Sequence, residues 1–132
     1  MEAQFPGAPP SGPIGHTAFE WLSGGQFLAQ RWEVPHPDAP DGIAIIGLSA
    51  GGESYTQHYF DSRGVARLYA MTLNGSVWTL ARETPDFSPL DFSQRFTGTF
   101  GQDGSVIDGR WEISHDGSPW SNDFDLTYRK LR

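Results

Sequence analysis

The chain has 132 residues, a formal net charge of -7 and no cysteine, with 37% hydrophobic and 19% charged residues. That length suits one domain, 1–132, around a single core, and the missing cysteines exclude disulfides, thiolate metal sites and cysteine nucleophiles. The acidic balance argues against sequence-independent nucleic-acid binding, no apolar run approaches the roughly 20 residues of a bilayer span, and the opening MEAQFP lacks a secretory pattern, so a cytoplasmic protein with no membrane span is expected.

Sixteen glycines, ten prolines and 14% aromatic residues favour short strands and tight turns over helices. Residues 6–13 (PGAPPSGP) read as a loop. Residues 16–22 and 26–34 form a hairpin about Ser23, Gly24 and Gly25. The run 43–48 is nearly continuously apolar and is expected to be covered on both faces.

Residues 54–61, 65–73 and 76–82 read as a meander. A type I′ turn at Asn74 and Gly75 sets Leu73 opposite Ser76, Met71 opposite Trp78, Tyr69 opposite Leu80 and Arg67 opposite Arg82. A three-residue loop 62–64 with a bulge at Gly64 sets Tyr59 opposite Arg67 and Gln57 opposite Tyr69. One face therefore collects Gln57, Tyr59, Arg67, Tyr69, Met71, Trp78 and Arg82. The other carries His58, Phe60, Leu68, Ala70, Thr72, Val77 and Thr79.

Asp103 and Gly104 give a second two-residue turn. It places Phe100 opposite Ile107 and Phe96 opposite Trp111, and it sends Arg95, Thr97, Asp108, Arg110 and Glu112 to the polar face. The last strand, 124–131, alternates Phe124, Leu126 and Tyr128 with Asp125, Thr127 and Arg129. About ten strands joined by local hairpins, with no helix to cap a sheet, fit an all-β, up-and-down antiparallel barrel. A β-sandwich is the alternative, although it uses longer crossing connections.

The stretches FEWLSGGQFLAQRWEV from Phe19, DGIAIIG from Asp41, YTQHYFDSRGVARLY from Tyr55, FSQRFTGTF from Phe92, DGSVIDGRWE from Asp103 and DFDLTYRK from Asp123 resemble a bacterial calycin-like domain family. The resemblance spans nearly the whole chain. It implies a roughly ten-stranded barrel of the architecture of lipocalins, nitrobindins and fatty-acid-binding proteins, with no reaction established for the family. Such proteins carry a further N-terminal stretch with a Gly-x-Trp-like strand start. The chain lacks it, so a shortened first strand and a gap in the barrel are expected, open to a ligand or to a second copy.

A small barrel holds side chains or one small ligand, so the inward face is where function is sought. The expected binding set is Gln57, Tyr59, Arg67, Tyr69, Met71, Trp78, Arg82, Phe96, Trp111 and Tyr128, with Gln94 available to orient the ligand. The aromatic rings would wall a hydrophobic or amphipathic ligand, or simply pack the core. Inward Arg67 and Arg82 would need a bound anion, water or a carboxylate partner. Arg67 and Tyr69 resemble the Arg-x-Tyr pattern by which fatty-acid-binding barrels hold a carboxylate, although on a middle strand.

No metal or other cofactor is expected. His16, His36, His58 and His115 make no ligand spacing, and nitrobindin-like haem ligation lacks a histidine in 124–131. No Gly-x-Ser-x-Gly elbow supports hydrolysis. The expected function is small-molecule binding. The alternatives are a non-hydrolytic isomerase or cyclase using Tyr59, Tyr69, Tyr128 or Glu33 as acid-base group, and a structural module that forms a homodimer.

Overall fold

A computed structural model describes residues 2–4, 14–35, 37, 39–48, 54–87 and 89–130. All of its regular structure is strand: β1 Glu2–Gln4, β2 Ile14–Trp21, β3 Leu28–Glu33, β4 Gly42–Leu48, β5 Tyr55–Asp61, β6 Ala66–Asn74, β7 Val77–Arg82, β8 Ser93–Phe100, β9 Val106–Ser114 and β10 Ser121–Arg129. From β2 to β10 each strand pairs antiparallel with the next, giving the expected all-β, up-and-down sheet. No helix among the described residues is long and apolar enough to cross a membrane. The loop 6–13 and the end of the last expected strand, 131, lie outside the described residues.

The three residues of β1 pair with Ile14, Gly15 and His16 on one side and with Thr127, Tyr128 and Arg129 on the other. They fill the place where a gap is expected, and the sheet closes on itself there. Closure explains a departure at β4. Ala44 and Ile46 are buried, but Ile43 and Ile45 are only half-buried and Leu48 is exposed, so the strand is not covered on both faces. A closed sheet has one interior, and outside β4 the Phe27 ring lies against Gly47.

The turns explain which residues share the interior. At the β5–β6 hairpin, Gly64 takes φ 83° and the register is the expected one, with Tyr59 opposite Arg67 and Gln57 opposite Tyr69. The β6–β7 turn differs. Asn74 pairs with Val77, so Gly75 and Ser76 are the central residues; only Gly75, at φ 59°, is left-handed, as a type II′ turn requires at its first central position. Leu73 consequently faces Trp78 rather than Ser76, and Met71 faces Leu80 rather than Trp78. The pairing is displaced by two residues. A one-residue slip would have turned every side chain over, whereas two residues leave Tyr69, Trp78, Leu80 and Arg82 on the buried side.

Between β8 and β9 the expected pairs Phe100 with Ile107 and Phe96 with Trp111 form, around a four-residue connection from Gln102 to Ser105. The outer face is polar as expected, with Arg95 bound to Glu112 at 2.9 Å. Inside, Tyr69, Trp78, Leu80, Phe96, Ile107, Leu126 and Tyr128 form one buried cluster.

Candidate functional site

Within the barrel is a cavity of about 360 Å³, the order of volume that takes a small organic ligand. Of the expected binding residues, Gln57, Tyr59, Arg67, Tyr69, Trp78, Phe96, Trp111 and Tyr128 line it. Met71 does not. It sits opposite Tyr55 and Leu80 and packs against the core cluster instead. The rings make a continuous wall: Trp32 stacks on Tyr59 at 5.2 Å, Tyr69 meets Trp111 edge-on at 5.5 Å, and Phe96 lies 5.2 Å from Trp111 and 4.8 Å from Trp78.

Arg82 also stays out of the cavity, and its expected role as an anion contact is corrected by its partner. Its guanidinium binds Asp86 with both ends of the fork, Nε to Oδ2 at 2.7 Å and Nη2 to Oδ1 at 2.9 Å. Both side chains are 3% exposed. A buried arginine needs a counter-charge, and here the loop after β7 supplies it.

Two arginines line the cavity. Arg63 is already neutralised by Asp61, at 2.6 Å. Arg67 has no carboxylate within ion-pair distance among the described residues. Its Nη1 donates to Gln94 Oε1 at 3.0 Å, the Tyr69 hydroxyl donates to the same oxygen at 3.1 Å, and the guanidinium stands 5.6 Å from the Phe92 ring centre. Elsewhere on the lining, Gln57 Nε2 donates to Gln30 Oε1 and Gln30 Nε2 to Thr17 Oγ1, each at 3.4 Å.

The tyrosines are held neutral. Burial raises Tyr59, helped by its hydrogen bond to Asp61; burial also raises Tyr69 against the opposing pull of Arg67, and it pushes Tyr128 up to about 12. Each is therefore a hydrogen-bond donor near neutrality and a poor base. Glu33 is exposed on the outer face. His58 faces the Phe87 ring at 6.4 Å and does not line the cavity. No group of three or more His, Asp or Glu among the described residues could hold a metal ion.

Asp61 holds two residues of the lining, Tyr59 and Arg63. Burial alone would raise its carboxyl, but hydrogen bonds from Arg63 and Tyr59 outweigh that and hold it at about 2. A carboxylate depressed in the folded state contributes stability above its unfolded value near 4, and that contribution is lost as pH falls from there toward 2. In Asp61→Asn the loss of stability between pH 5 and pH 2 should shrink by on the order of 1–2 kcal/mol, read by urea unfolding at both values. An unchanged acid limb would show that Asp61 does not make this contribution.

The sequence reading missed Gln30, Thr17, Trp32 and Phe92. The first three sit on β2 and β3, and the register of β3 against β4 depends on the long Pro-containing connection 34–41, a segment without a short turn to count from. Phe92 precedes β8 and reaches the wall from a loop.

Comparison with known proteins finds no matching family model and no curated protein of similar sequence. The cavity must therefore be interpreted from its own chemistry.

Proposed function

We propose that the chain is a calycin-like binding barrel, cytoplasmic in location, that takes an amphipathic small molecule with an aromatic or hydrophobic body and an anionic group. The observation that carries this reading is Arg67. It is a cation on the wall of an aromatic cavity with only the neutral Gln94 side chain as its hydrogen-bonded partner among the described residues. Arg67, the Tyr69 hydroxyl and the Gln94 amide converge there, and a carboxylate is the group best matched to a fork of guanidinium donors beside a phenolic donor. The enzymatic alternative gains nothing from tyrosines whose protons are held this tightly.

Biphenyl carboxylate is a suitable probe, because binding beside Trp78 and Trp111 will change tryptophan fluorescence. Arg67→Glu should weaken it by about 10- to 100-fold, the equivalent of one charge-assisted hydrogen bond, and leave binding of the neutral biphenyl carboxamide unchanged. Equal affinity of wild type and variant for the acid would remove Arg67 from the site.

A further inference from the structure

Three buried polar side chains of the cavity lining are joined in a line: Thr17 on β2, Gln30 on β3 and Gln57 on β5. Which end of an amide is oxygen and which is nitrogen follows from its partners, and here the line has one permitted direction. The single Thr17 hydroxyl proton is used, because Oγ1 donates to the Arg31 carbonyl oxygen at 3.0 Å. Thr17 can therefore only accept from Gln30. Gln30 must turn Nε2 toward Thr17 and Oε1 toward Gln57, and Gln57 must answer that oxygen with its own Nε2. The end of the line is the Gln57 carbonyl oxygen, an acceptor.

Gln57 Oε1 has no hydrogen-bond partner among the described residues. It is not sealed in the wall either, since Trp78 Nε1 is the one fully buried side-chain polar atom among those residues that lacks a partner. Gln57 as a whole is 3% exposed and lines the cavity, so the surface its oxygen retains is cavity surface. Gln94 is held the opposite way round. Arg67 and the Tyr69 hydroxyl both donate to its Oε1, which leaves its Nε2 as a donor beside the Arg67 guanidinium. Gln57 stands directly opposite Tyr69 and diagonally from Arg67, neighbours about 7–8 Å apart on one sheet face. Donors for an anion and an acceptor thus lie side by side.

We propose that the ligand carries a hydroxyl or N–H donor on the same ring as its anionic group, and that Gln57 Oε1 accepts that hydrogen bond. This deepens the binding reading above and rests on it. Gln57 then sets specificity: an alkyl group at that place strips the amide oxygen of water and gives it no donor, which disfavours binding. Thr17 and Gln30 are positioning residues, holding the oxygen rather than the nitrogen of Gln57 toward the ligand.

The test uses two acids of nearly equal shape, biphenyl carboxylate with a hydroxyl meta to the carboxylate and the same acid with methyl in its place. Wild-type protein should bind the hydroxyl acid about tenfold tighter by isothermal calorimetry, and Gln57→Met, which keeps the side-chain length without the amide, should lose that preference. Thr17→Val should reduce the preference while leaving affinity for the methyl acid unchanged, a split that a purely structural role would not produce. In carbon-labelled protein the Gln57 side-chain carbonyl signal should move downfield with the hydroxyl acid and not with the methyl acid, a reading that needs no variant to fold. Equal binding of both acids, still weakened by Arg67→Glu, overturns the donor inference and leaves the binding function standing. A preference that survives in Gln57→Met also overturns it, by assigning the hydroxyl to another acceptor of the lining such as Asp123. Failure of both acids to bind wild type overturns the binding function itself.

Discussion

Asp86→Ala should lower the unfolding free energy by about 3–5 kcal/mol, the loss typical of a buried ion pair deprived of one partner. The carboxylate accepts from Arg82 Nε and Nη2 and from the Leu68 backbone amide at 2.9 Å, so its removal takes away the carboxylate that the guanidinium fork binds and the acceptor of a main-chain donor. For a domain of this size the melting temperature should fall by roughly 10–15 °C. Replacing the pair together, as Arg82→Met with Asp86→Leu, should cost less than Asp86→Ala alone, because no uncompensated charge remains. If Asp86→Ala melts within a few degrees of wild type, the pair is not the anchor of this loop. The loop also leads to Phe92, whose ring lies beside Arg67, so Asp86→Ala should weaken an anionic ligand at temperatures where the protein is still folded.

This pair also marks where a sequence reading stops. Arg82 falls on the interior face by strand alternation, and an interior arginine implies a partner, but nothing in the residues 83–92 says that the loop folds back to deliver Asp86 rather than leave the cation for a ligand. The hairpins with local turn chemistry were legible. Gly64 fixed Tyr59 against Arg67, and the apolar and polar faces of β8 and β9 fixed Phe96 against Trp111. At residues 74–76 the composition admitted two turns, type I′ on Asn74 and Gly75 or type II′ on Gly75 and Ser76. The second places Leu73 opposite Trp78. Parity survived the two-residue displacement because side chains repeat every two residues, which is why Trp78 still lines the cavity; eight of the ten expected binding residues do so, and Met71 and Arg82 do not. The Gln30, Gln57 and Thr17 network depends on strands joined by long connections, and sequence alone does not register those.

Phe96→Ala should destabilise the protein by about 3–5 kcal/mol and, unlike the loss of Asp86, should enlarge the binding cavity as it does so. Phe96 is 1% exposed, and its ring packs against those of Trp78 and Trp111. Its room is made by two glycines directly opposite one another, Gly98 and Gly109. A Cβ at Gly109 would stand 2.6 Å from the Phe96 ring and 2.9 Å from the Leu126 carbonyl oxygen, and one at Gly98 would stand 2.9 Å from the ring. Gly109→Ala alone should therefore cost about 1–3 kcal/mol through overpacking. With Phe96 already truncated, part of that clash is gone, so the two substitutions together should destabilise by less than their sum. Strict additivity would mean that the glycines do not hold space for the ring. The void left by Phe96→Ala opens onto the cavity, where a bulkier ligand can occupy it. An acid with a wider aromatic body should accordingly raise the melting temperature of Phe96→Ala by more than it raises that of wild type, because ligand that binds only the folded state adds stability in proportion to the logarithm of its occupancy term. Equal shifts in the two proteins would place the ligand away from Phe96 and argue against the aromatic wall as its seat.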